Sequence, residues 1–452
     1  VNLLTIAYKS LRQRWLASFL TGLSVALGVA LMVAVIVLNG VVTDVFRQSG
    51  SGYDLVVGPK GSDTQLVLST IYHIDKPIEN LPWRFYQDLG KHRHVERAIP
   101  VNLGDTTEIG NFPIVGTTPQ YFLVDYVPDK KFRIKGDGLQ GTWDAVIGSQ
   151  VARQNNWDVG SQFKMIHSGQ DDHVHNELFT VKGVLAPTGT PNDRTTFVHI
   201  DGFFQLDEHA KPLDEAIERE AKFFGETEQQ VRERYKDDIA EIEKHQKEEA
   251  GHEGHHHHHG PPSDLLKEVT SVLLVMKGKQ DYQRALAAST LQSDLKEGFQ
   301  AQGVNVVQVM SRLLTNLVGN IRYAFLSLTI LIIAVSGIGI FVSIYNSMSD
   351  RKKEIAIMRA LGARRSSVLS IVLLEATLLC VLGGLGGMAL GHGLVFVAAP
   401  IIEARSGLLI DPMSFNSIEF VVIPGLVAMA MLIGLLPGIT AYRTDVAEAL
   451  QG

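Results

Sequence analysis

The stretch LASFLTGLSVALGVALMVAVIVLNGVVT, Leu16–Thr43, carries no charged side chain from end to end. A helix of about 20 apolar residues crosses the hydrocarbon core of a bilayer, so this stretch is long enough to span one. It is also far longer than the roughly 7–15 apolar residues of a secretory signal, and no small-residue cleavage pattern closes it, so it is read as retained. Three further uncharged runs follow, Tyr323–Ser349, Ala376–Ile402 and Phe420–Tyr442. The expectation is an α-helical membrane protein with four transmembrane helices. A large α+β domain lies outside the membrane between the first two and carries a charged helical, His-rich insert. A mean hydropathy of +0.10 with 45% hydrophobic residues fits this mixture of membrane and water-facing parts.

Basic residues orient the spans. Lys9, Arg12 and Arg14 precede the first with no acidic residue among them. Arg351, Lys352, Lys353, Arg359, Arg364 and Arg365 lie between the second and third, against Asp350 and Glu354. The next connection holds Glu403, Arg405, Asp411 and Glu419. By the positive-inside rule both termini are cytoplasmic. The expected segments are a cytoplasmic amphipathic helix at 1–15, spans at 16–43, 321–349, 367–402 and 419–442, and the outside domain at 44–320. A cytoplasmic loop and short helix at 350–366, an outside loop at 403–418 and a cytoplasmic tail at 443–452 complete the chain.

Within the outside domain, DLVVGPKG, AIPVNLGD, FPIVGTT, DAVIGS, ELFTVKGVL and TTFVHI alternate and are punctuated by Gly, Pro and Asp, the pattern of short strands. PWRFYQDLGKH reads as a helix. EVTSVLLVMK, DYQRALAASTLQSDLKEGFQ and VNVVQV read as strand, amphipathic helix and strand. The lone cysteine, Cys380, falls in the third span, so this domain is held by its core rather than by disulfides, and the thiol reads as an inert core group.

The insert, about 207–262, differs in composition. From Asp207 to Glu253 there are 16 acidic and 8 basic residues, a net of −8 against −7 for the whole chain. Leu213, Ile217, Glu220 and Phe224 step by a helical period, but Glu220 breaks the apolar stripe. Gly225 interrupts, and Thr227 with Gln230 forms a capping-box pattern that restarts a helix. The expectation is one or two weakly amphipathic charged helices projecting from the β-rich core, a solvated spacer in the ordinary reading of such runs.

GHEGHHHHHGPP follows, from Gly251. A purification tag belongs at a chain end, and this run lies mid-chain. His252, Glu253, His255, His256, His257, His258 and His259 are donors suited to zinc, copper or nickel, so the run is metal capture, solvated low complexity or an engineered insertion. His173 and His175 in DDHVHNE form a second, weaker pair.

DRKKEIAIMRALGARRSSVLSIVLLEATLLCVLGGLGGMALG and the closing GITAYRTDVAEALQG resemble the FtsX-like permease domain of ABC transporters, from about Ile321 to the end. NLLTIAYKSLRQRW is similar to the family's cytoplasmic lead-in helix, and the four-span plan is that of MacB-type and lipoprotein-releasing permeases. The resemblance implies that Arg351, Glu354, Ile355, Met358, Arg359, Leu361 and Gly362 dock the ATPase. By the residues alone, Ile355, Met358, Ala360 and Leu361 standing among cations, with Gly362 as a helix stop, fit either a short docking helix or a positively charged topology anchor. Gly383, Gly384, Gly386, Gly387 and Gly391, with Gly393, remove side chains where helices approach closely, within one chain or between two. Glu375 and His392 are ionisable groups inside a span.

No G-x-x-x-x-G-K-[ST] occurs in these residues, so ATP and Mg are expected on a separate ATPase. The resemblance implies two such subunits, a second copy of this chain and placement in a bacterial inner membrane with the large domain periplasmic. A periplasmic adaptor or substrate protein is a further partner; a nucleic acid is not. Outside the His run no nucleophile–base or metal constellation emerges, so the chain is not read as an enzyme. Three uses stay open: a permease linked to zinc homeostasis; export of a lipid, lipoprotein, hydrophobic peptide or antibiotic; and mechanical signalling to an external hydrolase without transport.

Overall fold

The computed structural model describes residues 3–48, 52–74, 76–127, 129–167, 174–206, 209–249, 262–298, 300–313, 319–350, 357–360, 362–406, 415 and 419–443. It divides into a helical unit, Val1–Thr43, Leu314–Arg405 and Ile410–Gly452, and a mixed unit, Asp44–Leu313 with Ser406–Leu409. The chain begins with α1 (Leu3–Gln13), whose Ala7, Ser10 and Leu11 are buried, and α2 (Trp15–Gln48).

The mixed unit opens with β1 (Leu55–Pro59), α3 (Asp63–Thr70), β2 (Leu81–Pro82), α4 (Trp83–Lys91) and β3 (Val95–Val101). Next come β4 (Asp105–Thr107), β5 (Ile114–Thr117), β6 (Ile134–Gly136), β7 (Asp144–Ile147), α5 (Ser149–Asn155), β8 (Gln162–Phe163) and β9 (Met165–His167). β10 (Phe179–Leu185), β11 (Thr196–His199) and α6 (Ile200–Phe204) lead to three insert helices, α7 (Leu213–Phe224), α8 (Glu228–Arg234) and α9 (Lys236–Glu249). β12 (Glu268–Val269), β13 (Ser271–Met276), α10 (Asp281–Glu297), β14 (Ala301–Val304) and α11 (Val306–Leu313) complete it.

Two sheets organise these elements. The first runs β14-β1-β13-β3, antiparallel throughout; β1 therefore separates β13 from β14, and α10 connects them as a split βαβ unit. All five residues of β1 are buried, because both faces are covered: Val56 packs with Ile99, Leu273 and Met310, whereas Leu55 and Val57 pack with Leu274, Leu291 and Phe223. The second runs β5-β11-β7-β10-β6 with β8 beside β10, and is mixed, β11 with β5 and β10 with β7 being parallel. Val115, Val146 and Phe197 of this sheet share the core cluster of Val56, and Ile114, Ala145, Ile147 and Val198 point into a separate aromatic cluster with Phe179, Phe203 and Phe204.

The strands and the helix expected from DLVVGPKG through TTFVHI all form. VNVVQV does not form a strand. Only Val304 is in β14, and Asn305 ends it by accepting the Gln308 N–H at 3.0 Å on its side-chain oxygen, which caps α11. A side-chain cap thus overrides the β-propensity of three valines.

The insert also departs from expectation. The Thr227–Gln230 capping box is present, but α7 is no solvated spacer. Ala216, Ile217, Ala221, Val231, Ile239 and Leu265 make a small core of their own, and Phe223 packs against Phe85 of α4 with centroids 5.0 Å apart. Glu220, which interrupts the stripe in sequence, is only 3% exposed and faces the Arg84 guanidinium at 3.3 Å. Arg84 also reaches Glu226 at 3.3 Å and stacks over Phe224. Hydropathy counts Glu220 as a break, whereas a paired carboxylate continues the buried face. The His-rich run, Gly251 to Gly260, lies outside the described residues.

In the helical unit, α12 (Gly319–Asp350), α13 (Arg365–Ser406) and α14 (Glu419–Arg443) join α1 and α2. Trp15–Val37 and Arg365–Ile402 are long and apolar enough to cross a bilayer, and Gly337–Asn346 and Ile423–Leu435 are shorter apolar stretches. A core of Val25, Val29 and Val33 from α2, Ile340 and Ile344 from α12, Val372, Ala376 and Cys380 from α13, and Leu426 and Ala430 from α14 joins them.

Candidate metal centre and coupling segment

The mixed unit gathers one carboxylate and three imidazoles from well-separated parts of the chain. Gly110 and Asn111, both at positive φ, turn the chain between β4 and β5, and the Thr107 hydroxyl holds the turn by accepting the Phe112 N–H at 3.0 Å. β4 is thereby free on its other edge to pair antiparallel with β9, in a register that sets Asp105 opposite His167. Asp105 Oδ1 lies 2.9 Å from His167 Nδ1. Beyond β9 the chain returns alongside it, and the His175 N–H donates to the Met165 carbonyl at 3.0 Å. His209 follows α6, its N–H reaching the Leu206 carbonyl at 3.3 Å and its Nε2 lying 3.2 Å from Asp105 Oδ2.

The imidazoles crowd one another. Ring centroids are 4.5 Å apart for His167 and His175, 5.0 Å for His175 and His209, and 5.1 Å for His167 and His209. The Phe203 ring stands 4.3 Å from that of His209, an apolar wall. Asp105 is 5% exposed and His175 1%, while the side chains of His209 and His167 are 4% and 28% exposed. One ligand atom from each of the four residues lies within 4.8 Å of every other. Imidazole nitrogen and carboxylate oxygen are donors for zinc and its late first-row neighbours, and four of them fill a tetrahedron.

Of these four, only His175 stood out in sequence, paired with His173, which lies outside the described residues. Its partners are instead His167 and His209. Asp105, His167 and His209 carry no spacing signature; the β4–β9 register brings the first two together, and the turn after α6 adds His209. The donors His252, Glu253 and His255 through His259 are outside the described residues.

The coupling segment is partly described. Arg351, Glu354, Ile355 and Leu361 are outside the described residues. Met358 and Arg359 lie on a helical turn that ends at Gly362, whose φ is +99°. The Gly362 N–H donates to the Arg359 carbonyl and the Ala363 N–H to that of Met358, each at 3.0 Å, the paired bonds of a Schellman stop.

The glycines of α13 divide. A Cβ on Gly383, Gly387 or Gly391 would lie 2.9, 2.6 or 2.8 Å from the Cβ of Val25, Val29 or Val33 on α2, and one on Gly384 would meet Leu426 of α14 at 2.7 Å. Among the described residues Gly386 meets only Ala26, at 3.9 Å, and Gly393 nothing within 4 Å, so their contacts with the described residues require neither glycine. The two ionisable groups have partners: Ser10 donates to Glu375 at 2.9 Å, and His392 lies 2.9 Å from Glu419.

Two family models match the chain. The FtsX-like permease C-terminal model covers residues 326–446 and the MacB-like periplasmic core domain model covers 18–238. The second match takes in α7 and α8 and ends in α9, ahead of the His-rich run. The macrolide export ATP-binding/permease protein MacB 1/2 of Paracoccus denitrificans is 32% identical over 127 residues, 28% of this chain and 18% of that protein. The ABC transporter permease YknZ of Bacillus subtilis, described as uncharacterized, is 34% identical over 121 residues, 26% of this chain and 28% of its own length. The matched region thus spans less than a third of either relative. The periplasmic region of MacB from Actinobacillus actinomycetemcomitans aligns over 59% of this chain and 95% of its own, at 10% identity and a TM-score of 0.33.

Proposed function

Because the chain belongs to the MacB/FtsX-type permeases of ABC transporters, we propose that it is the subunit through which ATP hydrolysis moves a periplasmic domain. ATP and Mg are held by a separate ABC ATPase, two copies serving two permeases in a bacterial inner membrane. Each permease crosses the membrane four times, with both termini cytoplasmic. The observation that carries the coupling role is the Gly362-terminated turn, set in a basic segment between α12 and α13. A short, firmly stopped helix bearing Ile357, 51% exposed, has the form that docks in a partner's groove.

The test is co-purification. Ile357→Asp and Arg359→Glu should each lower recovery of the ATPase with the permease about tenfold or more while the permease keeps its own elution profile. Recovery equal to wild type from both variants overturns the docking role.

We also favour a link to zinc, through an ion held by the periplasmic domain at the cluster around Asp105. A second use, export of an apolar molecule such as the macrolides named for the MacB relatives, is favoured by a cavity of about 360 Å³ lined by Phe85, Leu89, Phe223, Phe224, Leu291 and Leu295.

A further inference from the structure

We propose that Asp105, His167, His175 and His209 form a closed, four-ligand zinc site that pins the entry to the helical insert onto the β4–β9 ribbon. The zinc link suggested above rests on this site, but its test reads metal and stability rather than ATPase recovery, so the two can fail separately.

Geometry comes first. Zinc holds imidazole nitrogen and carboxylate oxygen at about 2.0–2.2 Å. Donor atoms at most 4.8 Å apart then need to move inward by only about 1 Å each to reach a shared ion. Rotation of side chains suffices for that, since the backbone positions are already set by the β4–β9 register and by the Met165–His175 and Leu206–His209 hydrogen bonds.

Charge and burial point the same way. Asp105 brings a carboxylate into a site where its side chain and that of His209 are 3% and 4% exposed and His175 is 1% exposed. A divalent cation at the centre offsets that buried charge and lets all three imidazoles stay neutral beside one another. His167, 28% exposed, is the side from which an ion enters.

The ligand count decides the role. Four protein donors complete a tetrahedron and leave no position for a water or for a passing substrate, which is the mark of a structural site. His209 stands just before Lys211, whose N–H bonds the Leu266 carbonyl where the insert's two ends meet. An ion here ties residues about a hundred positions apart in sequence and fixes the root of α7. The His-rich run lies beyond α9 and supplies none of these ligands.

The experiment uses the full-length protein in detergent, stripped by a chelator and reloaded with zinc or with cobalt(II) as a spectroscopic probe. The forms compared are wild type, a deletion of Gly251 to Gly260, His175→Ala and His167→Ala, the two substitutions being made in the deletion background. We expect the deletion protein to keep one zinc per chain, to show the intense visible absorption of tetrahedral cobalt, and to melt at a higher temperature with zinc than without. Each substitution should weaken binding by about 100-fold or more and abolish the thermal shift. His167 is partly exposed, so His167→Ala remains readable if His175→Ala does not fold. A deletion protein that binds no zinc, or a folded His167→Ala protein that binds it as the deletion protein does, overturns the site. Weak, octahedral-type cobalt absorption overturns the four-ligand geometry.

Discussion

A Cβ placed on Gly387 would lie 2.6 Å from the Cβ of Val29, so α13 and α2 meet there with no room for a side chain. Gly383 with Val25 and Gly391 with Val33 repeat the contact at four-residue intervals, which makes one smooth seam. In lipid such close packing is what joins helices, since tails are as apolar as the side chains. Gly387→Val should therefore cost about 1–3 kcal/mol or more, read as a lower melting temperature in detergent. Gly393→Ala, where no described residue lies within 4 Å of the added Cβ, should melt as wild type does. Equal melting by both variants contradicts the seam.

The stop at Gly362 predicts a local effect. At φ +99° a Cβ is strained, and Gly362→Ala should cost roughly 1–2 kcal/mol. Amide exchange from Ile357 to Ala363 should quicken about tenfold, with little change elsewhere. Unaltered exchange there would show that the turn owes nothing to its glycine.

Arg84 and Glu220 give a pH-dependent prediction. Burial raises the Glu220 carboxyl above the usual glutamate range, against the opposing pull of Arg84 and the Tyr235 hydroxyl. A raised folded value means that Glu220's contribution to stability is fully present below the ordinary glutamate range and is lost as pH rises through the raised one. Arg84→Ala removes the partner that limits this loss. It should cost about 2–4 kcal/mol near neutral pH and distinctly less near pH 5, and Glu220→Gln in the same chain should restore much of it. A penalty independent of pH argues that Arg84 acts through its packing on Phe224 instead.

His73 works in the opposite direction. Burial lowers its imidazole to about 4, with the Ser69 carbonyl, 3.2 Å from Nδ1, opposing. The unfolded chain, titrating near 6.5, then binds more protons than the folded one between about 4 and 6.5, so stability falls as pH falls through that window. His73 also has φ +52°, which asparagine tolerates. His73→Asn should keep the fold and flatten the acid limb of stability relative to wild type; an unchanged slope would falsify the assignment.

Period and punctuation in the sequence were enough to locate most of the strands, the long helices and the Thr227 cap, because each depends on neighbours within a few residues. They misread VNVVQV, where one asparagine side chain outweighs the valines, and Glu220, whose partner is 136 residues away. The metal cluster was hidden for the same reason. The eye goes to five adjacent histidines, whereas Asp105, His167 and His209 stand alone; a three-residue strand pairing brings the first two together, and the turn after α6 adds His209. Long-range register has no signature in a single chain.

The place of β1 in its sheet bears on biosynthesis. β1 sits between β13 and β14, so neither of its edges has a partner until Ser271–Met276 and then Ala301–Val304 have been made. About 240 residues separate the end of β1 from the last of them, roughly 10–50 s of translation at 5–20 residues per second. Throughout that interval LVVGP is an apolar segment with open hydrogen-bonding edges, available to any other nascent strand. Periplasmic holdases should therefore cross-link to Leu55–Pro59 in ribosome-bound chains truncated before residue 271 and release it once residue 304 has cleared the translocon.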